Sequence, residues 1–157
     1  MLSVRALPTI YRCITWLWAL PLTCLGLCVW ILVYFERHIF NRKSALAHVN
    51  TAQAAIIFIA HSSAVKWLLV RHPFGRMDAI TIGCCVLACD AAALQRTWAH
   101  ECVHVRQALQ WGPLFPLAYA ASSAWARLHG RCMYADNYFE KQACLQDNLT
   151  NQAIHGT

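Results

Sequence analysis

Charge is scarce in this chain. Of its 157 residues, 13 are Lys or Arg and 7 are Asp or Glu, whereas 59% are hydrophobic. With a mean hydropathy of +0.39, the chain is too apolar for an ordinary soluble domain of this size, and a membrane segment is expected. The length suits one domain with a modest core. There is no basic stripe interleaved with aromatic residues, and the cations behind the net charge of +6 are spread along the chain. That argues against a nucleic-acid partner. None of the nine cysteines stands in a CxxC pair, and their spacing is irregular. A zinc ribbon and a disulfide framework are both disfavoured, and free thiols in a reducing compartment are expected. No repeat or low-complexity segment occurs.

The longest apolar run is Cys13 to Phe35, with no charged residue. At about 1.5 Å per helical residue it can cross a hydrocarbon layer of roughly 30 Å. Trp16, Trp18, Trp30 and Tyr34 lie towards its ends, where amphipathic rings favour the interface. Pro21 and Gly26 are tolerated in a spanning helix. Arg5 and Arg12 would also suit a signal peptide. The run exceeds a normal signal core, however, and no small-residue cleavage site follows directly, so a retained anchor is expected. The basic group from Glu36 to Lys43 follows it and reads as a juxtamembrane contact with anionic lipid. Arg37, Arg42 and Lys43 outnumber Arg5 and Arg12 by one, which slightly favours a cytoplasmic carboxyl side. The expected organisation is an anchor over 1–43 and a second unit over 44–157, in a single-pass membrane protein.

Beyond the anchor, the short apolar runs Ala52–His61, Ala64–His72 and Ala79–Asp90 read as two or three strands of a small sheet. The turn-like His72–Asp78 separates the last two. Gly83 suggests a bulge or a close backbone approach. A second spanning helix over Ala52–Val70 is the alternative, interrupted by His61 and Lys66.

From Ala91 to Trp111 there is neither Gly nor Pro, and Gly112–Pro113 ends the segment. With Asp90 as N-cap it predicts a helix of about five turns or more. His100, His104, Gln107 and Trp111 fall on one stripe. Two imidazoles one turn apart can each offer a nitrogen to one zinc ion at about 2.0–2.1 Å. Glu101, offset by one residue, is placed to reach a water on the open side of that ion, the general-base role in H-E-x-x-H peptidases. With 8 His and 3 Glu in the chain, the pattern has a chance expectation of about one in a hundred. The rival reading has core or interfacial histidines, with Glu101 paired to Arg96 or Arg106.

A catalytic zinc needs a third protein ligand and an open position. Gln107 and Gln110 stand where HExxHxxGxxH requires Gly and His, which excludes the metzincin arrangement. The next candidate is Glu140. Asn137 reads as the N-cap of a second helix with Glu140 at its third position, so Glu140 can be the carboxylate of a capping box. Alternatively it projects as the third ligand, the gluzincin solution. His129 is the alternative third ligand, and Asp147, two turns beyond Glu140, comes next. The intervening Trp111–Leu128 segment reads as a core helix starting near Pro116, or as a helix dipping into the bilayer interface.

The stretch from His100 to Trp125, followed by Tyr134 to Ala143, resembles a group of small bacterial membrane-associated proteins of the zincin type. Their pattern runs HExxHVRQ, then WGP with an apolar stretch, then DNxFExxA, and the resemblance covers residues 79–143. It implies a metallopeptidase of the bacterial inner membrane, with zinc at His100, His104 and Glu140 and Glu101 as base. Cys144 and Asp147 stand where larger gluzincins often place an acid that orients a histidine. The paired signatures of intramembrane site-2-type proteases are missing.

The resulting expectation is an α+β chain: an N-terminal transmembrane helix, then a minimal zincin-like domain of short sheet, HExxH helix and second ligand-bearing helix. It would cleave peptide bonds with one Zn²⁺ and Glu101. Tyr134, Tyr138, His129 and Arg131 are candidates to steady the oxyanion. The expected partners are membrane lipid and a peptide or protein substrate. The rival from another class is a membrane-anchored interaction or assembly protein with a structural or degenerate metal site.

Overall fold

The computed structural model describes residues 9–40, 45–50, 56–71 and 77–155. Arg5, Arg42, Lys43, residues 52–55 and the 72–76 part of the turn-like stretch lie outside these residues. The element order is α1 (Thr9–Phe40), β1 (Ala45–Asn50), β2 (Ile56–His61), α2 (Ser63–Val70), β3 (Ala79–Ile82), β4 (Cys85–Ala88), α3 (Ala91–Trp111), a 3₁₀ turn (Gly112–Leu114), α4 (Phe115–Leu128) and α5 (Tyr138–His155). The class is α+β.

The sheet is mixed, in the order β1-β2-β4-β3. β1 runs antiparallel to β2, β2 parallel to β4, and β4 antiparallel to β3. Four expectations need correction here. Ala79–Asp90 is not one strand but a hairpin of β3 and β4 that turns at Gly83. β1 falls where no strand is expected. Ala64–His72 is no strand, because Ser62 Oγ accepts from Val65 N at 3.2 Å and starts α2. Nor does a second spanning helix run through Ala52–Val70, since Ile56–His61 is a strand paired on both sides. Val86 and Leu87 on β4 and Ile57 and Ile59 on β2 are buried in the core.

α1 is long and apolar enough to cross a membrane over Cys13–Glu36. It does not stand clear of the rest, but packs along α3, the 3₁₀ turn and β2–β4. Its inner stripe is Ala19, Thr23, Gly26 and Val33, all buried. Their spacing of three, four or seven residues keeps them on one face, and three of the four are small enough to admit close approach. A Cβ on Gly26 would meet Ile82 O at 2.5 Å. Gly83, at φ +62° in the β3–β4 turn, leaves no room for a side chain against the Thr23 backbone. Cys84 N then donates to Thr23 Oγ1 at 3.2 Å, and Trp30 Nε1 donates to Ile59 O at 3.1 Å. The outer face, with Leu17, Leu25, Leu32 and Phe35, stays exposed.

All nine cysteines are free thiols. Burial, with lesser effects of Cys84 and Cys24, pushes the Cys85 thiol up to about 12, which keeps it protonated and inert.

Candidate metal centre

α3 carries two of the three acid and imidazole groups that converge. Asp90 Oδ1 accepts from Ala93 N at 2.9 Å and caps its start, satisfying one of the helix's orphan donors. Gly112, at φ +54°, ends it. The sequence-predicted boundaries coincide with the observed ones, and the stripe His100, His104 and Gln107 faces α5.

The capping-box reading of Glu140 is overturned. Asn137 N donates to Tyr134 O, so it is not available to the Glu140 carboxylate. The first turn of α5 is capped by other groups: Asn137 Oδ1 accepts from Phe139 N at 2.8 Å, and Ser122 Oγ accepts from Tyr138 N at 2.9 Å. Asn137 is fully buried. Its amide donates to Tyr119 O at 3.0 Å and to Ser123 Oγ at 2.7 Å, which fixes this turn against α4. Glu140 is thereby directed at the histidines.

The two Nε2 atoms of His100 and His104 lie 3.0 Å apart. Glu140 Oε2 is 3.1 Å from His100 Nε2, and Glu140 Oε1 is 3.3 Å from His104 Nε2. All three groups can offer ligand atoms within 4.8 Å of one another. Ligands at about 2.0–2.1 Å in a tetrahedron stand about 3.3 Å apart, close to the separations observed.

The surrounding hydrogen bonds strengthen the fit. Gln107 Nε2 donates to Phe139 O at 3.1 Å and to Gln142 Oε1 at 3.0 Å. That orients the amide so that Gln107 Oε1 faces His104 Nδ1 at 2.8 Å. Asp147 Oδ2 lies 3.2 Å from His100 Nδ1. The tautomer that carries its proton on Nδ1, opposite Gln107 Oε1 in His104 and Asp147 Oδ2 in His100, leaves each Nε2 as an acceptor. In the neutral rings both Nε2 lone pairs then point at one another and at a carboxylate. Such a set of donors repels itself unless a proton or a cation lies between them. Glu140 Oε2 is moreover buried without a hydrogen bond, the kind of orphan an ion would satisfy.

The electrostatics show how strongly the three groups act on one another. Burial alone would raise the Glu140 carboxyl, but the imidazoles of His100 and His104 beside it, with the Tyr119 hydroxyl, outweigh it and hold Glu140 well below the usual carboxylate range. Burial opposes protonation of both histidines, yet Glu140 leaves each raised above the ordinary imidazole value.

Glu101 is buried beside the cluster, not paired with Arg96 or Arg106 at the surface. Arg96 binds Asp78 at 2.8 Å, and Glu101 Oε2 accepts from Thr81 Oγ1 at 2.6 Å. Burial raises the Glu101 carboxyl above its ordinary value, with the Thr81 hydrogen bond and both imidazoles opposing.

The remaining candidates divide. Tyr134 is half exposed. Burial, then the charge and hydrogen bond of Glu140, raises its phenol, so it sits at the site as a neutral donor. Tyr138 accepts from Gln142 Nε2 at 2.8 Å and belongs to the network behind Gln107. His129 is exposed, with Nδ1 2.8 Å from Trp125 O, outside the ligand group. Arg131 is exposed in the turn before α5, where its charge acts on Asp136. Three residues at the site escape a sequence reading: Thr81, Gln107 as the orienter of His104, and Tyr119, whose hydroxyl donates to Glu140 Oε1 at 2.7 Å. Burial and Glu140 raise the Tyr119 phenol, which keeps it a donor.

A cavity of about 210 Å³ lies between α3 and α5, lined by Val103, Arg106, Gln107, Gln110, Gln142 and Gln146. It backs the Gln107 network, and none of the three candidate ligands lines it. No protein-family model, curated protein or solved structure matches the chain.

Proposed function

We propose that the chain is a membrane-anchored zinc metallopeptidase of the zincin type, with His100, His104 and Glu140 as metal ligands and Glu101 as general base. The observation that carries this reading is the convergence of two Nε2 lone pairs and an orphaned carboxylate oxygen, with both Nδ1 atoms held from behind. A closed structural zinc site takes four protein ligands, whereas three leave a corner for solvent. Among the described residues the group has three members.

Zinc there would polarise the scissile carbonyl and bring the pKa of the attacking water to about 7. Glu101 accepts the proton of that water and delivers it to the departing amine. Its raised pKa suits this exchange, because a base tuned upward can also act as the acid that follows. Thr81 fixes one carboxylate oxygen and leaves the other to the reaction. Tyr119 and Tyr134 are the neutral donors nearest the ligand carboxylate, suited to steady charge on the carbonyl oxygen. The anchor is α1, by its length and its uncharged outer face.

The test uses the full chain in detergent. Wild type is expected to hold one zinc per chain and to cleave members of a mixed peptide library read by mass spectrometry. Glu101→Gln should keep the zinc and lose cleavage, and His104→Ala should lose both. Cleavage unchanged in Glu101→Gln, or a wild type that holds no zinc, would overturn the reading. Zinc held without any cleavage would favour a structural clip in an assembly protein.

A further inference from the structure

α4 separates the candidate metal centre from an uncovered apolar surface. Its inner side carries Phe115, Tyr119, Ser123 and Ala126 against α5 and the ligand cluster. Its outer side carries Leu117, Ala121, Ala124 and Leu128, at successive steps of four, three and four residues, with Trp125 beside them. Leu117 is 69% exposed, Trp125 65% and Leu128 81%. The core-helix expectation therefore holds for one side of α4 alone. The only charge on the helix is Arg127 in its last turn, followed by exposed Arg131.

This surface continues into that of α1. The 3₁₀ turn leading into α4 packs on α1, where the Trp18 indole lies against Gly112. Trp18, Trp111 and Leu114 are exposed around this junction. A ridge of apolar side chains thus runs from the uncharged Cys13–Phe35 stretch of α1, which is of spanning length, onto a second helix whose far end is basic. A solitary exposed leucine needs no partner, but a contiguous apolar surface of this extent does.

We propose that the outer face of α4 lies in the bilayer interface beside α1, with Trp125, Arg127 and Arg131 at headgroup level. Lipid is the occupant because the surface is continuous with the spanning-length helix, and because the cations at its far end match anionic headgroups. The candidate metal centre then lies one helix width, about 10 Å, from lipid.

The experiment places a benzophenone amino acid at Leu117 or Leu128 in the full chain, reconstituted in phosphatidylcholine–phosphatidylglycerol vesicles. Leu25 on the outer face of α1 is the lipid-facing control, and exposed Gln110 and Lys141 are the aqueous ones. Irradiation is expected to give lipid adducts at Leu117 and Leu128 within about threefold of Leu25 and at least tenfold above Gln110 and Lys141. Yields at Leu117 and Leu128 no higher than the aqueous controls would overturn the proposal. So would adducts there to a second copy of the chain in place of lipid. Both readouts are independent of zinc and of cleavage, so a failed peptidase assay leaves the outcome intact.

Discussion

Gln107 and His104 stand one turn apart on α3, and the amide oxygen of Gln107 lies 2.8 Å from His104 Nδ1. Because Gln107 itself is locked by Phe139 O and Gln142, the imidazole is held with Nε2 towards Glu140. Partners of this kind raise ligand basicity and fix the tautomer. Gln107→Leu keeps the bulk and removes the acceptor. Zinc affinity is expected to fall about 10- to 100-fold, measured by competition with a chromophoric chelator. An unchanged affinity would mean that Gln107 is packing alone.

Thr81 reaches Glu101 from the β3 edge of the sheet at 2.6 Å. Thr81→Val removes the hydroxyl at nearly constant volume and leaves the metal ligands untouched. Zinc content is expected to stay at wild-type level while kcat drops about 10-fold or more, since a misplaced base can cost up to about 100-fold. KM should change little, because Thr81 is assigned no contact with substrate. Steady-state kinetics on any peptide found to be cleaved checks the split.

Asn137 is fully buried and joins α5 to α4 through three hydrogen bonds. Asn137→Ala leaves Tyr119 O, Ser123 Oγ and Phe139 N without that partner. A loss of about 2–3 kcal/mol is expected, seen in denaturant unfolding. Zinc affinity should weaken with it, because Glu140 sits three residues on in the same turn.

Thr81 and Gln107 mark the limit of what the sequence discloses, whereas Asn137 is legible as the cap of α5. The span of α3 is legible because no Gly or Pro interrupts Ala91 to Trp111, and Asp90 and Gly112 punctuate its ends. Glu140 is legible as a ligand only alongside an equally valid capping box, and the choice is made in space, by Asn137 N bonding to Tyr134 O. Thr81 and Tyr119 act through distances between elements, which no local pattern encodes, and Gln107, though on the stripe of His104, is oriented by Phe139 O and Gln142 on α5. α2 hides in an apolar run too short for periodicity to separate helix from strand. Its only local signal is Ser62 as a cap. α1 is plain as a long apolar helix, but its docking rests on Ala19, Thr23 and Gly26, small residues that a spanning helix tolerates equally well.

That docking has its own test. Gly26→Val puts side-chain atoms where Ile82 O and Cys85 already stand. Overpacking of this kind costs about 1–3 kcal/mol. The expected result is a lower melting temperature and faster proteolysis between α1 and β2 in detergent. A helix that spans the membrane apart from the domain would show neither.

The cap of α3 supplies a pH dependence. The backbone hydrogen bond from Ala93, with lesser help from Lys66, lowers the Asp90 carboxyl below its ordinary value. A depressed carboxylate contributes stability above its unfolded value, about 3.9, and loses it as pH falls through the folded one. Asp90→Asn keeps an acceptor oxygen that does not titrate. In metal-free protein, wild type should therefore melt above Asp90→Asn near about pH 6, and the difference should shrink as pH falls below about 3.9 and vanish only once pH is below the folded value.

The convergence of His100, His104 and Glu140 on one ion is tested most directly by X-ray absorption at the zinc edge of the purified chain loaded with one equivalent. The expected first shell is nitrogen and oxygen at about 2.0–2.1 Å with imidazole scattering beyond it, and loss of bound zinc in Glu140→Ala. Sulfur at about 2.3 Å would assign the metal to the cysteines and contradict the site, as would zinc binding that survives the loss of Glu140.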